Sequence, residues 1–137
     1  MISVTIEYFI KPGQEAQYET LADRIHPEVY SVDGFISVEG YESRSEPGKR
    51  LSLSLWRDED AVRAWRQHPE HARIMQQAKK EIFSSYRITV SSCIRDYRFP
   101  KETEARDLQT MRLKHTVRSG LSLSVPWFVD TGVRPTP

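Results

Sequence analysis

Strict alternation opens the chain, with Ile2, Val4, Ile6, Tyr8 and Ile10 on one side and Ser3, Thr5, Glu7, Phe9 and Lys11 on the other. A period of two predicts a half-buried strand, and Pro12-Gly13 ends it. From Gln14 to Tyr30 the apolar positions Ala16, Tyr18, Leu21, Ala22, Ile25 and Val29 recur at three- and four-residue spacing, which predicts an amphipathic helix. Pro27 is expected to kink it or end it early. Asp33-Gly34 reads as a turn before a strand from Phe35 to about Ser43, and Glu46-Pro47-Gly48 as a turn before a strand from Lys49 to Trp56, the two forming a hairpin. Asp58 stands where an N-cap belongs, with Glu59 and Asp60 in the first turn. Pro69 divides the helical stretch into a short helix to about Gln67 and a second from Pro69 to about Ser84. Alternation then returns, with Tyr86, Ile88, Val90 and Ile94 against Thr89, Ser91, Cys93, Arg95 and Tyr97. The order is βαββαβ, an α+β plan with an antiparallel sheet.

This pattern assigns sides to the sheet. Ile2, Val4, Ile6, Leu51, Leu53, Leu55, Ile88 and Val90 are expected to lie under the helices. Ser3, Thr5, Phe9, Ser52, Ser54, Trp56, Thr89, Ser91 and Cys93 are expected on the opposite face. A face of small, weakly polar residues suits packing on a second sheet at about 10 Å, and a second copy of the chain is the simplest source, giving a symmetric homodimer.

Composition narrows the function classes. At 137 residues, residues 1–99 make one domain and 100–137 an extension, expected as an arm contacting the dimer partner. That extension is charged with both signs up to Arg118 and more apolar from Leu121 to Val129. Twenty basic and 19 acidic residues, net +1, argue against nucleic acid as a partner. The single cysteine, Cys93, excludes an internal disulfide and a cysteine-ligated zinc, and the scattered histidines show no metal-ligand spacing. No apolar run is long enough to cross a membrane and no targeting signal is visible, so a cytoplasmic location is expected.

The candidate chemistry is aromatic. Trp56 ends a strand and Trp65 lies on the next helix, where they could flank a flat ligand, although large aromatics in a small protein more often build core. His71 shares a helical stripe with Met75, Ala78 and Ile82 and is a candidate base. Tyr86 is a candidate hydrogen-bond donor to a ligand oxygen. His68, just before Pro69, reads as a capping or loop residue, and Arg95 as one end of an interface ion pair with Glu7 or Asp96.

Leu55-Trp56, Asp58-Glu59, Ala61, Trp65, His71, Tyr86 and Arg95-Asp96-Tyr97 stand where the antibiotic biosynthesis monooxygenase family has its pattern. The chain resembles that family, in its branch without assigned substrates. The resemblance implies a ferredoxin-like fold pairing as a dimeric α/β barrel. It also implies oxygenation of a small aromatic or phenolic molecule without cofactor, because a deprotonated phenol can itself reduce oxygen. On that reading His71 and Tyr86 are catalytic, and Trp65, Met75 and Trp56 bind substrate. A non-catalytic dimer binding a small ligand is the alternative from another class. Heme binding or degradation is a second, set back by Ile6 and Glu7 in place of an asparagine and by Met75 in the ligand position.

Overall fold

In the computed structural model, which describes residues 1–100, Val4, Ile6 and Tyr8 of the first strand are the buried half of the alternation. This strand, β1 (Ile2–Ile10), is central. It is followed by α1 (Glu15–Tyr30), β2 (Phe35–Glu42), β3 (Arg50–Trp56), α2 (Glu59–Gln67), α3 (Pro69–Glu81) and β4 (Phe83–Ser92). The four strands pair in the order β2-β3-β1-β4, each pair antiparallel. The result is the ferredoxin-like α+β arrangement, one sheet face under helices and the other, here called the open face, with no helix over it among the described residues.

Local chemistry explains the boundaries. The Asp58 carboxylate accepts from Ala61 N–H at 2.9 Å and caps α2. His68 is extended (φ −60°, ψ 122°), as expected of a residue before proline. It serves both helices through the backbone: its N–H donates to the Trp65 carbonyl at 3.1 Å and its carbonyl accepts from Ala72 at 2.9 Å. Pro69 then occupies the first position of α3. Pro27 does not end α1, which continues to Tyr30. The proline is on the exposed side, so the carbonyl one turn earlier loses its partner where water can replace it.

Two expectations are corrected. The side assignment of β3 is inverted: Ile2 faces Trp56, Val4 faces Ser54 and Ile6 faces Ser52 across the ladder, and paired residues share a face. Ser52, Ser54 and Trp56 are buried under the helices, Trp56 at 0% exposure, while Leu51, Leu53 and Leu55 are half-buried on the open face. The helix layer needs space for the rings of Tyr8, Tyr18, Trp56 and Trp65, and serines provide it where leucines would overfill it. The last strand also differs: α3 stops at Glu81, β4 starts at Phe83 and ends at Ser92, so Cys93, Ile94, Arg95 and Tyr97 are not part of the sheet. Arg95 is exposed, and within the chain Glu7 lies 3.1 Å from Lys49 and 3.5 Å from Arg87.

Among the described residues, Met1–Ser92 belongs to one compact unit and Cys93–Pro100 to another. Within the second, the Cys93 thiol donates to the Arg95 carbonyl at 3.2 Å, and Ile94, Tyr97 and Phe99 are exposed. The extension expected from residue 100 lies outside the described residues. Among the described residues no helix is long and apolar enough to cross a membrane, and no group of three or more His, Cys, Asp or Glu side chains could hold a metal ion.

Candidate functional site

Helical spacing builds the site. On α2, Ala61, Val62 and Trp65 are the buried stripe, and on α3 it is His71, Ile74, Met75 and Ala78. Trp65 and His71 are both 0% exposed, their rings 4.5 Å apart between centroids and tilted by 32°. The His68 ring also packs against Trp65, at 5.5 Å. Trp56 lies 6.5 Å from Trp65, and Phe35 meets Trp56 edge-on at 5.2 Å. A continuous aromatic cluster thus joins the start of β2, the end of β3 and the α2–α3 junction.

Its polar atoms are few. Trp56 Nε1–H donates to Ser54 Oγ at 2.9 Å. Trp65 Nε1 and His68 Nδ1 are buried with no hydrogen-bond partner among the described residues. The other nitrogen of His68, Nε2, lies 3.4 Å from the Glu28 carboxylate of α1, which is half exposed.

Of the residues expected at a site, Trp56, Trp65 and His71 come together in this cluster, and Met75 lies on the same buried stripe of α3. Met75 is 1% exposed, within the core. Tyr86 is elsewhere. It pairs with Tyr8, whereas Trp56 pairs with Ile2, six positions along β1 and therefore about 20 Å away at roughly 3.3 Å per residue.

Around Tyr86 is a second cluster that single-element patterns did not reveal. The hydroxyls of Tyr8 and Tyr18 are 2.9 Å apart in the core. The Phe83 ring stands edge-on to Tyr8 at 5.5 Å and to Tyr86 at 5.8 Å. The Arg50 guanidinium sits 5.6 Å from the centre of the Tyr18 ring and 3.4 Å from Glu19. Burial pushes the Tyr8 phenol up to about 12, opposed by its bond to Tyr18 and by Arg50, and burial raises Tyr18 as well. Both phenols are neutral at pH 7. The signal available in sequence was a tyrosine on the apolar side of β1 and another on the apolar stripe of α1.

The open sheet face carries a cleft of about 470 Å³ over Leu51 and Leu53, walled by Tyr41 and rimmed by Glu7, Lys49 and Arg50. None of Trp56, Trp65, His71, Met75 or Tyr86 lines it.

The sequence model of the antibiotic biosynthesis monooxygenase family matches residues 1–77, more than half of the chain, and the chain belongs to that family. It is 36% identical over 90 residues to "Jasmonate monooxygenase ABM" of Pyricularia oryzae, covering 66% of this chain and 42% of that protein. The chain thus spans less than half the length of that relative. To YqjZ of Bacillus subtilis it is 27% identical over 94 residues, covering 69% of this chain and 81% of the other. The fold matches that of Rv0793 from Mycobacterium tuberculosis with a TM-score of 0.62 at 18% identity, over 71% of this chain and 98% of that one. It also matches SnoaB, a cofactor-independent oxygenase from Streptomyces nogalater, with a TM-score of 0.59 at 15% identity, over 73% and 97% of the two chains.

Proposed function

We propose that the protein is a cofactor-independent monooxygenase acting on a small aromatic or phenolic compound, and that it works as a homodimer paired through the open face of the sheet. The observation that carries the reading is the buried indole of Trp65 with two imidazoles packed on it. Flat apolar walls favour a planar ligand, and an imidazole is the side chain whose ordinary pKa suits proton removal near neutral pH. Family membership supports the reaction class, and the half-buried leucine row on the open face supports the dimer.

The chemistry asked of the protein is small. Deprotonation makes the substrate an electron donor, and its electrons reduce dioxygen. When a methylene flanked by aromatic rings becomes a ketone, one oxygen atom enters the product and the other leaves as water with the two hydrogens removed. The balance needs no external reductant. In this reading Trp65, Trp56 and Met75 hold the ring system, and an imidazole on Trp65 takes the proton. His71 is the one expected from sequence, and Tyr86 would act only on a ligand that reaches the far cluster. A positioned base contributes about 10²- to 10⁴-fold.

Oxygen uptake with a panel of anthrones and hydroquinones tests the proposal. At least one member should be consumed faster than in buffer, and Trp65→Ala should raise its KM. If none is consumed while such compounds still bind, the protein is a non-catalytic small-ligand-binding dimer.

A further inference from the structure

Two buried polar atoms of the aromatic cluster ask for the same kind of group. Trp65 Nε1–H is a donor only, on a ring with 0% exposure, and has no acceptor among the described residues. A buried donor without an acceptor is costly enough to call for an explanation. His68 is the complement. Its Nε2 faces the carboxylate of Glu28, which only accepts, so Nε2 holds the ring proton and the buried Nδ1 presents a lone pair. One donor and one acceptor thus sit on rings whose centroids are 5.5 Å apart. Of single oxygen functions, only a hydroxyl can satisfy both: a ketone or ether cannot donate, and a carboxylate would be repelled by the lone pair.

We propose that Trp65 and His68 form a hydroxyl-recognition pair, in which a phenolic or enolic ligand oxygen accepts from Trp65 Nε1–H and donates to His68 Nδ1. This rests on the reading of the cluster as a ligand site, and it assigns proton removal to His68 rather than to His71. Glu28 orients the imidazole. It also gives the proton an exit: the ligand O–H breaks as Nδ1–H forms, the electron pair stays on the ligand oxygen, and the Nε2 proton passes to the half-exposed Glu28 and to water. His71 is 0% exposed, so a proton taken there would have to cross packed side chains to reach water. Two carboxylates lie near the His68 ring. Glu28 approaches from α1. From α3 comes Glu70, whose carboxyl is held below the usual range chiefly by Arg73 and which also pairs with Arg24 at 3.0 Å.

Equilibrium binding of 2-naphthol and of naphthalene to the full chain tests the pair without any turnover. The wild type should bind 2-naphthol at least about tenfold more tightly, the factor expected of a hydrogen-bonded hydroxyl, and bound 2-naphthol should show naphtholate absorption at pH 7. In His68→Phe, with His68→Met as a second variant should the first not fold, naphthalene affinity should stay within about twofold and the advantage of the hydroxyl should vanish. Trp65→Phe should also remove it. Glu28→Gln should keep binding and lose the naphtholate band. If the wild type binds both probes equally, or if the variants of His68 leave the ratio unchanged, the hydroxyl pair is wrong while the ligand site stands. If neither probe binds, the reading of the cluster as a ligand site fails and the pair fails with it.

Discussion

Ser54 Oγ accepts the indole N–H of Trp56 at 2.9 Å, two residues apart on one strand and both facing the helices. The same hydroxyl donates to the Val4 carbonyl at 3.4 Å. Replacing Ser54 by alanine leaves a buried donor without its acceptor, so Ser54→Ala should lower unfolding stability by about 1–3 kcal/mol. Urea denaturation should show a shifted midpoint at an unchanged slope. A loss below about 0.5 kcal/mol would mean that the serine is there for its size alone.

Gly34 and Gly13 provide a paired test of backbone and packing. Both have positive φ, +91° and +83°, a region that costs other residues about 1–3 kcal/mol. At Gly34 a Cβ would also stand 2.7 Å from Ala61 Cβ, whereas at Gly13 it would meet nothing within 4 Å. Gly34→Ala should therefore destabilise by at least about 1 kcal/mol more than Gly13→Ala, through displacement of α2 from the sheet. Thermal unfolding of the two variants decides it.

The cap of α2 is expected to respond to pH. The Asp58 carboxyl is held below its ordinary value first by the Ala61 N–H and then by Arg57. A carboxylate with a folded pKa below its unfolded one stabilises the fold above the unfolded value and loses that contribution as pH falls through the folded value. Asp58→Ala should thus be less stable than wild type at pH 7. The difference should shrink as pH drops below about 4. A gap that is constant between pH 7 and pH 3 would exclude the charged cap as its cause.

Leu53, half-buried in the middle of the open face, is the residue to use against the dimer. Wild type should sediment at twice the chain mass of 16.0 kDa. A charge at Leu53→Glu, carried into a face that packs on a second copy, should give the monomer with an unchanged circular dichroism spectrum. A wild-type monomer at micromolar concentration would exclude the dimer.

Most of the fold was legible because separate signals agreed. For β1 and the α2–α3 break, hydrophobic period, turn residues and proline position gave the same boundaries, while in α1 the apolar period carries the helix past Pro27 to Tyr30. In β3 they conflict. Leucine alternating with serine reads as leucine inward, but Trp56 is in phase with the serines, and a change of one residue in phase moves every side chain to the other face. Which phase wins depends on the rings that α1, α2 and α3 bring to the sheet, and no window along β3 contains them. The site divides in the same way. Trp65 and His71 were visible from the apolar stripes of their helices. His68 reads as a loop residue until α1 places Glu28 beside it, and Tyr86 joins its neighbours only through pairing with Tyr8.

The most direct test of the central claim is one turnover under ¹⁸O₂, in metal-chelated buffer, with whichever phenolic compound the uptake panel selects. Mass spectrometry should find one ¹⁸O atom per product molecule and the second in water, with formation slowed by about 10²-fold or more in His68→Phe and substrate binding weakened in Trp65→Ala. Product free of ¹⁸O, or formed at the same rate without the protein, would contradict the assignment of this chain as a cofactor-independent monooxygenase.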